Sequence, residues 1–245
     1  MRILICIDDT DNLESPGTGK LAAILASAIE QNGWGQTMFT SRHQLFVHPD
    51  IPYTSHNSSM CFAAEVQETD RIIDYAGEFL ARQSAAGSDP GLCVVVPAEL
   101  RGGDRLCAFG RAAKCEVLTK EAAYGLAHDL GIHLSEHGGT GQGVVGALAG
   151  TGLRLGGNDG RLRGRLEVGA PGEIVTVAEL MTHPLIDRVQ TTDGELLPPE
   201  HRVLLGEKVK TVLLDGKSVL LVVFQTFDAQ GPRWQTCPHD IIKTY

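Results

Sequence analysis

The chain has 245 residues, 42% of them hydrophobic and 21% charged, enough apolar material for one large domain or two small ones with buried cores, which excludes a disordered chain. Its 21 basic residues against 30 acidic ones leave −9, a balance that opposes a broad nucleic-acid face unless the basic residues cluster. Six cysteines without a C-x-x-C pair, and an N-terminus that reaches Asp8 and Asp9 before any apolar stretch of leader length, predict a cytoplasmic protein without disulfides, leader or membrane partner.

Ile3 to Ile7 is an apolar run too short for a helix and closed by acids, so it reads as a buried strand. After the loop D-D-T-D-N-L-E-S-P-G-T-G, Leu21, Ile24, Leu25, Ala28 and Ile29 follow helical spacing until Asn32-Gly33. Strands are expected over 37–47, 59–66 and 91–96, and helices over 72–82 and 120–130. A glycine-dense loop, H-G-G-T-G-Q-G, then runs into a small-residue helix. This succession predicts an α/β or α+β region. Beyond Gly156 short apolar runs alternate with turns, and Asp215-Gly216 between two of them signals a hairpin. The expected division is a nucleotide-binding region over 1–158 and a small β-rich domain over 159–245.

Asp8, Asp9 and Asp11 stand where a strand ends and a helix begins, and such close carboxylates repel unless a cation or donors neutralise them. Oxygen-only donors suit Mg²⁺, which in turn suits a nucleotide such as ATP; a solvated loop with one aspartate capping the helix is the competing reading. Gly17, Thr18, Gly19 and Lys20 add backbone amides, a hydroxyl and an ammonium at a helix N-terminus, where an anion is favoured. The motif is not a Walker A loop, because Glu14 and Leu21 occupy positions where it needs glycine and a hydroxyl. Gly141, Gly143 and Gly146 are candidates for wrapping phosphates, with close helix packing as the alternative. Tyr53, His56 and Asn57 share a polar loop suited to substrate contact. His133-Leu134-Ser135-Glu136-His137 matches a zinc-protease string, but that site needs a stable helix, and glycines flank the segment on both sides.

Four segments in order carry a resemblance: C-I-D-D-T-D (6–11), G-T-G-K (17–20), I-P-Y-T-S-H-N (51–57) and G-Q-G-V-V-G-A-L-A (141–149). Over about residues 1–155 the chain resembles the family of agmatinylcytidine synthetases that act on isoleucine tRNA. The resemblance implies a kinase-like region beside a ferredoxin-like one, and ATP-dependent activation of the C2 oxygen of a tRNA cytidine before agmatine displaces the phosphate. It also implies that Asp8, Asp9 and Asp11 hold metal and phosphates, that Thr18 matches a threonine phosphorylated in the family, and that 141–147 lie on the nucleotide. Three departures stand out. The family's K-T-R is Thr54-Ser55-His56 here and its later arginine is Gln142, and only Cys237 lies beyond residue 115, too few cysteines for the family's zinc ribbon.

The expected function is therefore a kinase- or ligase-type enzyme using ATP and Mg²⁺ to activate an oxygen of a small-molecule substrate, with amine attack as an optional second step. Asp9, Thr18 and Lys20 are the expected catalytic residues. A tRNA-modifying enzyme and an inactive nucleotide-binding regulator are the alternatives. The acidic balance, the missing ribbon and the lost cations make tRNA a disfavoured partner, with Arg154, Arg161, Arg163 and Arg165 as the one dense basic cluster; oligomeric state is not encoded legibly.

Overall fold

The computed structural model describes residues 1–51, 56–164 and 166–245, with Pro232 described by its backbone only. The chain divides into two compact units, Met1–Gly156 and Gly157–Tyr245. Both mix helix and strand, and seven helices lie among the described residues.

The first unit runs β1 (Arg2–Asp8), α1 (Thr18–Gln31), β2 (Gly35–Gln44), β3 (Ser58–Val66), α2 (Thr69–Gln83), β4 (Gly91–Val95), α3 (Gly103–Ala112), α4 (Lys120–Leu130), β5 (His133–Glu136) and α5 (Gly143–Gly156). Its strands lie in the order β5-β4-β1-β3-β2, and each neighbouring pair is antiparallel. The alternation of β1 sorts its side chains onto two faces. Ile3, Ile5 and Ile7 meet Leu21, Leu25 and Ile29 of α1 and Ile72, Ala76 and Leu80 of α2. Leu4 and Cys6 face Leu106 of α3, Ala123 and Ala127 of α4, and Ala147 and Leu148 of α5. A strand covered on both sides has no polar face, which is why Ile3 to Ile7 reads as a continuous apolar run. Each fully buried isoleucine contributes about 1.5–3 kcal/mol.

Two expectations change here. The H-x-x-E-H segment is the edge strand β5, not a helix. His133 and His137 both hydrogen-bond the hydroxyl of Ser135 between them, at 2.9 and 2.8 Å, since alternate residues of a strand share one face. Arg154 is no member of a surface basic cluster. It is 7% exposed, and its guanidinium lies 4.2 Å from the centre of the Phe39 ring, a cation–π contact inside this unit.

The second unit contains β6 (Arg161–Leu162), β7 (Ile174–Thr176), α6 (Val177–Leu180), β8 (Arg188–Thr191), β9 (Arg202–Leu204), β10 (Thr211–Leu214), β11 (Lys217–Asp228), β12 (Gly231–Thr236) and α7 (His239–Ile242). Its strands run β6-β10-β11-β12-β9-β7, with β8 parallel to β11. The β10–β11 hairpin turns at Asp215 and Gly216, both with positive φ, 50° and 71°, the backbone a two-residue hairpin of this kind requires. Leu220 and Val222 of β11 enter one core, while Val219 and Leu221 enter another with Ile242 of α7. All six cysteines of the chain are thiols, and no helix is long and apolar enough to cross a membrane among the described residues.

Candidate functional site

Asp8 is the last residue of the central strand β1 and is 8% exposed. Three elements converge on it. The left-handed backbone of Asp9, φ 49°, turns the chain sharply after the strand, a conformation aspartate tolerates better than most residues. Thr10 follows, almost fully buried. Thr18 at the start of α1 then closes the loop: its hydroxyl donates to Asp11 Oδ1 at 2.7 Å and accepts from the Thr10 backbone N–H at 3.3 Å. The third element is α5, whose close approach depends on glycine. A Cβ on Gly146 would lie 1.6 Å from Asp8 Oδ2, and one on Gly143 would lie 2.1 Å from the Asp89 carbonyl oxygen.

The resulting cleft is small and open to solvent, with a cavity volume of about 100 Å³. Asp8, Asp9, Asp11, Thr18, Gly143, Gly146, His56 and Asn57 all line it, so the acidic loop, the start of α5 and the described residues Ile51, His56 and Asn57 meet although they are distant in sequence. Asp50 and Glu116 add two carboxylates, and Leu45, Val117, Leu118 and Val145 form an apolar wall. Asn57 also holds the backbone together. Its amide donates to the Phe46 carbonyl at 2.6 Å, and its own carbonyl accepts from the Leu45 N–H at 2.8 Å, closing the loop between β2 and β3.

Other candidates fall elsewhere. Lys20 is exposed and does not line the cleft: it sits two positions, roughly 200° of helix rotation, beyond Thr18, on the opposite face of α1. Gly17 and Gly19 are likewise outside the lining. Gly141 abuts the Lys120–Glu136 ion pair, since a Cβ there would lie 1.6 Å from Glu136 Oε2. Tyr53, Thr54 and Ser55 lie outside the described residues, as does Arg165.

Asp89, which precedes β4, had no signal in sequence. Its carboxylate accepts from both the backbone N–H and the hydroxyl of Thr140, and its carbonyl accepts from Gly143 N–H at 3.1 Å. Two amides of the glycine loop are thus engaged by the protein itself, and the loop is held where α5 begins.

The electrostatics are dominated by carboxylates. Burial, and then the charges of Asp9 and Asp11, push Asp8 up to about 8. Burial, Asp89 and Asp11 push Asp9 up to about 6. No Lys or Arg lines the cleft among the described residues. Nor do three His, Cys, Asp or Glu side chains gather into a metal cage among them. Oxygen donors of this kind fit a hard divalent cation that takes one or two carboxylates and completes its shell with phosphate oxygens and water.

Fold and cleft together define a mixed α/β protein with a carboxylate-lined site at the end of its central strand. No protein-family model matches the sequence. A relative, the isoleucine-tRNA 2-agmatinylcytidine synthetase TiaS of Methanosarcina acetivorans, is 30% identical over 158 residues, covering 62% of this chain and 36% of the relative. The chain therefore spans about a third of the length of that curated protein. The crystal structure of a tRNA fluorescent labeling enzyme aligns over 62% of the chain and 36% of its own with a TM-score of 0.55 and 27% identity. The complex of TiaS with its isoleucine tRNA and ATP aligns over 82% and 50% with a TM-score of 0.58 and 24% identity. Over part of its length the chain is TiaS-like.

The expectation that tRNA is a disfavoured partner does not stand: a protein of this fold has been captured with an isoleucine tRNA and ATP. Net charge does not decide this partner, because phosphate contacts depend on where cations gather and not on the sum over the chain.

Proposed function

We propose that the chain carries the nucleotide site of an ATP-dependent enzyme that activates an oxygen of an RNA cytidine by phosphoryl transfer and then exchanges it for an amine. The convergence of Asp8, Asp9, Asp11 and Thr18 with Gly143 and Gly146 in one cleft carries this reading. Its support from relatives is the TiaS of Methanosarcina acetivorans. A tRNA substrate would put the reaction in the cytoplasm. The finer fold follows the same resemblance: the β1-α1-β2-β3-α2-β4 succession is our assignment for the ferredoxin-like part, and α3 to α5 for the remainder.

Asp9 and Asp11 would hold Mg²⁺, which supplies charge neutralisation on the transferring phosphoryl group. The cation matters more than usual in a cleft whose described lining contains no Lys or Arg, because the positive charge that a triphosphate needs arrives with the ligand. Thr18, fixed by Asp11, presents a hydroxyl beside those carboxylates. Asp8, buried and protonated near neutral pH, limits repulsion until a cation is present.

The test is ATP consumption by the purified chain with and without bulk tRNA and an added amine. RNA-dependent turnover supports the proposal, and turnover indifferent to RNA would return the acceptor to the small molecules. The exposed position of Lys20 favours a second reading, a nucleotide-binding regulator, which predicts ATP binding without turnover under either condition.

A further inference from the structure

The C-terminal unit gathers basic residues that the sequence scatters. β6 pairs with β10 through Arg161 and Val212, which sets Arg161 close to Lys210, and the Lys210 ammonium is hydrogen-bonded to the Gly164 carbonyl, next to Arg163. Gly160 N–H donates to the Tyr245 carbonyl at 2.8 Å, drawing the C-terminal turn, with His239 and Lys243, to the start of β6. Lys208 and His239 line one shallow pocket with Gln235 and Thr236.

The crowding leaves an electrostatic mark. Burial first, and then Arg161, Arg163 and Lys208, hold Lys210 below the usual lysine range. His239 is held down by burial and then by Lys243, Arg161 and Lys208. The acids facing this surface are Asp159 beside Arg161, Glu207 in the pocket and Asp240, 3.6 Å from Lys243. In a chain with 30 acidic residues and a net charge of −9, folding has brought together five permanent cations that repel one another. Such an arrangement is stabilised by an external polyanion.

We infer that this surface docks the sugar–phosphate backbone of the RNA substrate, an inference that rests on the RNA reading above. The cations are spread over β6, the segment before β10 and the C-terminal turn, and Arg163, Lys208 and Lys243 are exposed. That distribution suits a row of phosphates better than one small anion, which would need a buried, converging clamp. Backbone contacts of this kind fix register and orientation and carry no sequence preference.

The test combines Arg163→Gln, Lys208→Gln and Lys243→Gln in the full chain and measures bulk tRNA binding from 50 to 200 mM salt. All three side chains are exposed, so the fold should be retained. The expected result is about a tenfold to hundredfold weaker complex at about 100 mM salt, and a log K against log salt slope shallower by about 2 to 3, one step per lost phosphate contact. A control triple in the N-terminal unit, Arg71→Gln, Arg82→Gln and Arg105→Gln, should leave affinity and slope unchanged. Parent-like binding by the first triple overturns the surface while leaving the RNA reading intact, and equal weakening by both triples overturns it too. If the parent binds no tRNA at 50 mM salt while consuming ATP without RNA, both fail together. Parent binding to phosphatidylserine vesicles but not to tRNA would give the surface to a membrane and overturn the inference.

Discussion

Replacing Asp8 by asparagine should stabilise the protein at neutral pH and remove a distinct part of its pH dependence. The native carboxyl is raised from 3.8 to about 8, so between those values the folded state holds a proton that the unfolded chain has released. Stability from this group is then lost as pH rises, at about 1.4 kcal/mol per pH unit. From pH 5 to pH 7 the loss is about 3 kcal/mol, and it stops growing once pH passes the folded value near 8. Asparagine has the shape of the protonated acid and no proton to release. Asp9, raised to about 6, acts with the same sign in both proteins and cancels to first order in the comparison. Urea unfolding of parent and Asp8→Asn at pH 5 and pH 7 measures the difference. The stability gain of the variant should be about 3 kcal/mol larger at pH 7 than at pH 5; equal gains at both pH values would refute the burial argument.

Asp9→Asn should abolish Mg²⁺-dependent ATP binding in calorimetry while leaving the thermal midpoint unchanged or raised, since it relieves repulsion in an empty acidic site; intact binding would remove Asp9 from the metal. Lys20→Ala, on the far face of α1, should change ATP affinity less than twofold, and a tenfold loss would show that the side chain reaches the ligand. Gly91→Ala should cost about 2–3 kcal/mol or more in urea unfolding, because its Cβ would lie 2.2 Å from the Gly143 carbonyl carbon, backbone that cannot step aside. Gly125→Ala in α4, with open space around the new methyl group, should instead gain about 0.5–1 kcal/mol through helix propensity, and a loss there would mean the helix surface is covered.

What the sequence makes legible follows the strength of local signals. β1 and α1 announce themselves because one is a closed apolar run and the other repeats Leu21, Leu25 and Ile29 at helical spacing. The Asp215-Gly216 turn is readable because its backbone demands those residue types. α3 escapes notice because only Leu106 and Gly110 are fully buried along it, too thin a stripe for a periodic signal. β5 escapes because Leu134 is its one apolar residue. In the site, Asp8, Asp9, Asp11 and Thr18 are local neighbours and can be read together, whereas Asp50, Asp89 and Glu116 arrive through tertiary packing. Lys20 misleads for a related reason: a G-T-G-K string describes chain neighbours, while helix geometry decides which of them share a face.

The glycines of α5 also set an order of events. This helix is the last element of the first unit, yet it covers Leu4, Cys6, Cys61, Ala63 and Cys93 on the sheet and supplies Gly143 and Gly146 to the cleft. During synthesis the acidic loop emerges first, and the helix that completes the site emerges more than 130 residues later. A nascent or truncated chain ending before residue 143 therefore lacks the α5 cover on that face of its central sheet and has no closed cleft. Because loop closure on this scale precedes any reward in contacts, docking of α5 is the step that completes the cover of the apolar face and creates the binding site.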